Sequence, residues 1–493
     1  MRTENLVGGI FATGRDAGTP WLTTAWTAAL FAAGIIGWAY VFGWGNVPLN
    51  FHDWTDINIP RLTFLQNALR VGAWPLHMGD SAALHGVTDR FFTLPDVITT
   101  PQTLLLLLVP VPAFVLADVL IHYTIGFAGL VMLRRHFGWS LYAWTMVFLL
   151  FIFNGHILAH YTVGHFTWGP YFVFPLILLL LFRFLDGDTS WRTLGMFAAL
   201  MFYMVLAGGQ HHLTWVVLFT AMLAPLCGRR AWWPVAAIVG SLLLSAVRLL
   251  PPALELQSFR NAGLIADVIG YPSLAHLLGS LMVLRREQPA FNVALPGNIW
   301  FFDSAHFEFN AYVGVVGAIV IGVFGLYHWL RDSPPRYWQL AAPALVMVAL
   351  SIGTVYRLVR ATGIPLFDSE RYTARMFSLP LTLLIIMTGT MLDRFLRDRA
   401  VSVWQRTVAL IVLAFVAIDI SASIRLSRVA ISAGMFGSTS MPDAAGQIQH
   451  RADSAYVMVL VAGLALSVAT GLVLWTLAAR ERSVSLPASR HAG

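Results

Sequence analysis

The sequence predicts an all-α polytopic membrane protein of about twelve transmembrane helices, and three observations carry that expectation. Hydrophobic residues make up 58% of the 493-residue chain and charged residues only 11%, with a mean hydropathy of +0.71. A soluble domain carries about 25% charged residues. Apolar runs of spanning length recur from end to end, and a helix needs about 20 such residues to cross the hydrocarbon with its backbone satisfied. The period-two alternation of a membrane β-barrel is absent.

The runs fall at 21–43, 113–133, 138–156, 169–185, 191–208, 213–228, 233–252, 311–330, 337–356, 376–393, 405–424 and 455–478. The first, starting near Pro20, is longer than a signal-peptide apolar core and reads as a span. Residues 102–112 (QTLLLLLVPVP) are apolar but broken by Pro110 and Pro112, which predicts a re-entrant or surface-lying lead-in. All 31 basic residues are arginine, for a net charge of +7. Cys227 stands alone and forms no intramolecular disulfide. Two units are expected: a core over 1–400, including the first outer loop 44–101, and the last spans with a short tail over 401–493.

Arginine placement sets the orientation. Arg134/Arg135, Arg183/Arg192, Arg229/Arg230, Arg331/Arg336, Arg394/Arg397/Arg399/Arg406 and Arg480/Arg482 fall on one side in short connections, where the positive-inside rule has most force. That side, with both termini, is expected to be cytoplasmic. The long connections 44–101, 253–310 and 425–454 then face outward, and loops on a rigid scaffold carry function.

Within the first outer loop, FHDWTDINIPRL (51–62) places His52, Asp53 and Asp56 together. Residues 57–72 read as an amphipathic helix, with Leu62, Leu65 and Leu69 on one stripe, Arg61, Asn67 and Arg70 off it, and Pro60 in the first turn. Such a helix would lie in the membrane interface. Carboxylates at its joint with the first span lose hydration, which raises their pKa and suits a proton acceptor. Asp56 reads more readily as a cap of that helix, whereas Asp53 does not. Asp53 and Asp56 are the candidate catalytic acids.

The order of further motifs adds a resemblance. Asp53 leads to Pro60, then Gly72-Ala73-Trp74-Pro75, then NGHILAHYTVGHFTWGPYFVFPL (154–176), AGGQHH (207–212), LLSAVRLLPPALELQSFR (243–260), FEFNAYVGVVG (307–317) and SERYTARMFSL (369–379). In order and in spacing relative to the spans this resembles the GT-C class of polytopic glycosyltransferases, most closely its bacterial YfhO-like branch, over about residues 45–395. His77 stands near a place where that branch often has Trp. The resemblance implies an inverting transfer of a sugar from a polyprenyl-phosphate donor to a lipid or cell-envelope glycan hydroxyl, at the outer face of the cytoplasmic membrane. It also implies an acidic base in the first outer loop, basic residues on the lipid phosphate, and in some members a divalent cation such as Mg or Mn, for which Asp53 is the candidate ligand. No nucleic-acid partner is expected; membrane lipids are.

For the donor phosphate and sugar the candidates are Arg371, Arg375, His165, His211, Glu255 and Arg260. Arg371 and Arg375 share a face if helical, and guanidinium forks match phosphate; snorkelling, or pairing with Asp368 and Glu370, is the plainer reading. Glu255 follows Pro251-Pro252 and is expected to pair with Arg260. His165 and His211 flank glycine-rich turns and are the preferred donors to phosphate or sugar hydroxyls. His156 and His160 have the i, i+4 spacing of a shared metal but no third ligand in a signature. Asp118 and His122, also four apart and within a span, are the feature that favours a secondary transporter or lipid flippase. No internal repeat of the transporter kind is visible. A catalytically inactive scaffold with this fold is the remaining alternative.

Overall fold

The computed structural model describes residues 8–12, 20–50, 52–78, 88–256, 258, 268–284, 306–363, 370–397, 402–433, 448–449 and 452–485. The chain is an all-α polytopic membrane protein. Its helices are α1 (Pro20–Val41), α2 (Ile59–Arg70), α3 (Val111–Phe137), α4 (Leu141–Ile152), α5 (Gly155–Thr162), α6 (Phe174–Leu185), α7 (Trp191–Leu206), α8 (Gln210–Leu223), α9 (Trp232–Leu244) and α10 (Ala246–Leu254). They continue with α11 (Leu274–Met282), α12 (Val315–Val320), α13 (Ala341–Leu350), α14 (Gly353–Arg360), α15 (Ser378–Arg397), α16 (Val403–Ala433) and α17 (Ser454–Ser485).

Among the described residues nine helices are long and apolar enough to cross a membrane, or ten if α9 and α10, bent by 68° at Ser245, form one span. The nine include the α4–α5 and Phe166–Leu185 composites and the run through α12 to Asp332. Of the twelve apolar runs, 191–208 becomes the shorter helix α7, 233–252 becomes the bent pair, and 337–356 is divided among a 3₁₀ segment, α13 and α14. Pro334 and Pro335, and Gly353, sit at those divisions. The 101–107 stretch is a 3₁₀ helix ahead of α3, as its prolines require.

The α4–α5 composite forms the centre, 94% buried, and α16 and α17 the periphery, each 17% buried. α16 packs on α1, α4 and α5, whereas α17 packs on α7, α9 and α10. Caps fix the ends of the central helices. Ser140 accepts from Ala143 N before α4, Asn154 from Ile157 N before α5 and Ser190 from Thr193 N before α7, each satisfying a first-turn donor. Gly138 ends α3 at φ +71°, a left-handed cap that glycine adopts without strain. At the arginine-rich end Asp186 binds Arg336 (2.7 Å) and His136 (3.1 Å), and Asp393 binds Arg397 (2.7 Å).

Helix α2 forms where its pattern places it, but it is not a surface helix. Arg61 and Gln66, on the sides expected to be wet, are buried. Arg61 pairs with Asp96 at 2.5 Å, and Gln66 Nε2 donates to Leu106 O and Val109 O at 2.8 and 2.9 Å. The apolar stripe predicts a face turned to lipid, but protein packs against both faces. The connection between α1 and α3 is also tied to α17 and the segment before it. β1 (His77–Met78) pairs antiparallel with β2 (Ile448–Gln449), and Arg90 bridges Asp453 at 2.7 Å.

Candidate functional site

The joint after α1 is seated on the turn that follows α5. Asp53 N donates to Val163 O (3.1 Å), Trp54 Nε1 to Tyr161 O (3.2 Å) and Asn58 Nδ2 to Gly164 O (2.5 Å). Gly164 makes this seat available: its φ is +93°, and a Cβ there would collide with the Trp54 nitrogen. Only glycine meets both demands at little cost. The same turn carries His165, so one docking brings a first-loop carboxylate against an imidazole from a distant connection.

Asp53 is flanked on both oxygens. Oδ1 lies 2.8 Å from His52 Nδ1 and Oδ2 3.2 Å from His165 Nε2, with the carboxylate side chain 24% exposed. His52 is held at φ +48°, a conformation uncommon for a non-glycine residue. The expected upward pKa shift is reversed. Burial pushes the Asp53 carboxyl up, but hydrogen bonds from His165 and His52 outweigh it and hold the group far below the ordinary carboxylate range. Burial in turn lowers the His165 imidazole despite its bond to Asp53. Asp53 is therefore charged at neutral pH and His165 neutral.

Behind His165 the network deepens. His165 Nδ1 meets His160 Nδ1 at 2.5 Å, and His160 stacks on Trp168 with ring centroids 4.2 Å apart. With His165 donating from Nε2 to Asp53, its Nδ1 accepts and His160 Nδ1 donates. That leaves His160 Nε2 as a buried acceptor, without a hydrogen-bond partner among the described residues and 4.0 Å from Glu308 Oε2. Glu308 is placed by a second close approach, since a Cβ on Gly155 would collide with Asn310 and Tyr312, and Gly155 N donates to Tyr312 O at 2.7 Å. Both carboxylate oxygens of Glu308 take a bond from Arg375, through Nε and a terminal nitrogen. Arg375 also lies 4.6 Å over Trp168 and 4.5 Å over Tyr372.

Arg371 and Arg375 do not share a helix face. Ile269 N donates to Arg371 O and Thr373 N to Ile269 O, both at 2.8 Å; this bridge consumes the backbone groups that a helix would need, and Arg375 follows in a 3₁₀ turn. The two arginines are also unequal. Arg375 is buried with its fork spent on Glu308, whereas Arg371 is half-buried, 5.0 Å over Tyr372, with its Nε buried and no hydrogen-bond partner among the described residues. Glu370, buried, accepts from Trp215 Nε1 (3.0 Å) and lies 3.1 Å from His211 Nδ1. Its carboxyl too is held below the ordinary range, because His211 and Arg375 outweigh the upward push of burial. His211 is 38% exposed.

The structure thus brings Asp53, His165, Arg375 and, one layer out, Arg371 and His211 into one neighbourhood. Glu255 lies in a separate network: its partner is Arg90 (2.8 Å). Arg260, Asp368 and the Asp56 side chain lie outside the described residues; the Asp56 backbone is in a π-helical turn over Trp54–Asn58. Two sets could hold a divalent cation, His52–Asp53–His165 and His160–His165–Glu308, each with ligand atoms within 4.8 Å. Two imidazoles with one carboxylate suit Mn or Zn better than Mg, which prefers oxygen ligands. His156, paired with His160 by spacing, instead accepts from Trp168 Nε1 at 3.1 Å.

Sequence reasoning weighed His160 only as a metal partner of His156 and Glu308 only as a solvated loop charge, and it did not single out Trp168. The available signal for Glu308 was its place in an outer connection beside an apolar entry, where an unpaired carboxylate is costly to bury. No protein-family model and no curated protein matches this chain.

Proposed function

We propose that the chain is a GT-C-like glycosyltransferase that moves a sugar from a polyprenyl-phosphate donor to a lipid or glycan hydroxyl at the outer face of the cytoplasmic membrane. The hydroxyl oxygen attacks the anomeric carbon, its proton passes to Asp53, and the carbon–phosphate oxygen bond breaks with its electron pair leaving on the phosphate. The single observation that carries this reading is the seating of Asp53 beside His165 and the Glu308–Arg375 pair. Such a constellation holds a charged acceptor in place before substrate arrives. Because Arg375 is buried and already bidentate to Glu308, Arg371 is the arginine assigned to the phosphate. A cation on His52, Asp53 and His165 would add charge there to balance the phosphate. The three shorter or broken apolar runs complete the twelve crossings of this reading.

The test is Asp53→Asn in purified protein supplied with a polyprenyl-phosphate sugar and candidate acceptors. Transfer is expected to fall by at least about a hundredfold, the lower range for loss of a general base; unchanged transfer removes Asp53 from the mechanism. One observation favours the competing transporter or flippase. Asp118 and His122 are wholly buried in α3, 3.0 Å apart, with Gln102 Nε2 donating to Asp118 at 3.1 Å and Tyr203 3.2 Å from His122. Solute movement across vesicles without transfer would select that reading.

A further inference from the structure

At the arginine-rich end, opposite in chain order to every connection that builds the Asp53 site, a partly open cavity of about 660 Å³ lies between the last turns of α3 and α6. Arg134, Arg135, His136 and Arg183 line it with Trp139 and Met132, and no carboxylate does. Three guanidiniums facing one hollow repel each other unless an anion sits among them.

The nearby acids hold other partners at contact distance, while Asp188 and Asp393 attract Arg183 and Arg134 only from beyond it. Asp186 holds Arg336 and His136, and Asp393 takes Arg397 and the Ser140 amide (2.7 Å). Asp188 accepts from Ser190 N (3.1 Å) and Thr193 Oγ1 (2.7 Å). Neither Arg134, Arg135 nor Arg183 has an ion pair among the described residues.

Interaction with the α3 dipole and snorkelling to a membrane surface both explain basic residues at a helix C-terminus. They do not explain Arg134. A snorkelling guanidinium reaches for water, whereas this one folds over Trp144 at 5.5 Å with its Nε buried and without a hydrogen-bond partner among the described residues. Its charge is oriented and partly dehydrated before any partner is present. One rim, at Met132, is exposed apolar surface of the span, and the other, at Arg135, is exposed and basic. The hollow therefore has access both to the headgroup layer and to water.

We propose that this cavity binds a phosphate-bearing anion, either the headgroup of an anionic phospholipid or free phosphate, with Arg134 and Arg183 as its guanidinium clamp. Planar forks match phosphate oxygens in pairs, and a site short of counter-charge gains most from a divalent anion. This inference is independent of the glycosyl-transfer reading, since it concerns a different end of the molecule.

The test uses the full chain in phosphatidylcholine nanodiscs. Binding of phosphatidylglycerol is read by native mass spectrometry after release into detergent, and binding of inorganic phosphate by calorimetry. At least one of the two is expected to bind at one site per chain. Arg134→Gln with Arg183→Gln is expected to weaken it by about tenfold or more, while Arg331→Gln, 66% exposed on the same face, leaves it within about twofold. Phosphatidylglycerol alone identifies a lipid ligand, and phosphate binding in the absence of anionic lipid identifies a soluble one. If the double variant unfolds, Arg135→Gln, at the exposed rim, carries the same expectation at a smaller factor. Absence of binding by either probe, or equal weakening by Arg331→Gln, overturns the proposal.

Discussion

Glu308→Gln isolates the most deeply buried ion pair of the candidate site. The two side chains are 1% and 8% exposed, so solvent screening provides no discount. Glutamine keeps the shape and one acceptor oxygen but removes the charge, leaving the Arg375 guanidinium, between Trp168 and Tyr372, with only the more distant Glu370 to balance it. Breaking one side of such a pair costs about 3–5 kcal/mol; the retained acceptor places the expectation near about 3 kcal/mol. Since a native protein is stable by only about 5–15 kcal/mol, the loss should be plain in equilibrium unfolding in detergent micelles, followed by tryptophan fluorescence. Glu308→Gln combined with Arg375→Met removes both charges, and most of the loss should return, with a coupling of at least about 1 kcal/mol. A single-variant loss below about 1 kcal/mol, or strict additivity in the double variant, would show that the pair is not the buried, mutually dependent unit described above.

Gly164→Ala forces a side chain onto a φ of +93° and into the Trp54 amide; a loss of about 1–3 kcal/mol is expected, with Asp53 displaced and any Asp53-dependent transfer lost, and a fully active, equally stable variant refutes the seating. Two pH effects follow from the site's electrostatics. Because folding lowers the His165 pKa below its ordinary 6.5, the unfolded chain binds the proton first, so stability should fall as pH drops through that value; His165→Gln should flatten this limb of a denaturation-midpoint profile, and an unchanged slope excludes the assignment. Folding also lowers the Asp53 pKa, so its contribution is present above the ordinary carboxylate range and lost below it, and Asp53→Asn should remove that acid-side loss. Arg90→Ala releases Asp453 and Glu255 from a network in which Arg90 is 27% exposed; about 1 kcal/mol or less is expected, together with faster proteolysis of the first outer loop, and unchanged cleavage argues against a latch.

The spans were legible because apolar length alone reports them, and even the broken ones coincide with apolar runs. What covers a helix was not. The stripe of Leu62, Leu65 and Leu69 announces one apolar face of α2, yet nothing local to Arg61 indicates that Asp96 will meet it inside the protein. At the site, Asp53 and His165 could be picked by position because each lies at the mouth of a span beside a turn. Glu308 could not, since its partner is 67 positions away and its burial depends on Gly155 admitting the Asn310–Tyr312 backbone. The sign of the Asp53 shift failed for the same reason. Dehydration could be anticipated from membrane depth, but the two imidazoles that outweigh it arrive through tertiary contact.

That reversal bears on what the site can do. A carboxylate pushed up by dehydration is a strong base that is protonated part of the time. Asp53 is the opposite, a weaker base that is charged at neutral pH, and on the proposed reading it takes the proton only late in the transfer. Transfer through an oxocarbenium-like transition state has that character, because the leaving bond stretches before the incoming oxygen gains positive charge. On the proposed reading, a carboxylate charged at neutral pH beside the anomeric carbon would also stabilise the cation as it forms. The same low basicity would serve a proton-coupled transporter poorly, since such a residue must gain and lose its proton during each cycle near neutral pH. On the proposed reading Asp53 acts as a charged acceptor in transfer, and the transporter alternative rests on Asp118 and His122 in α3.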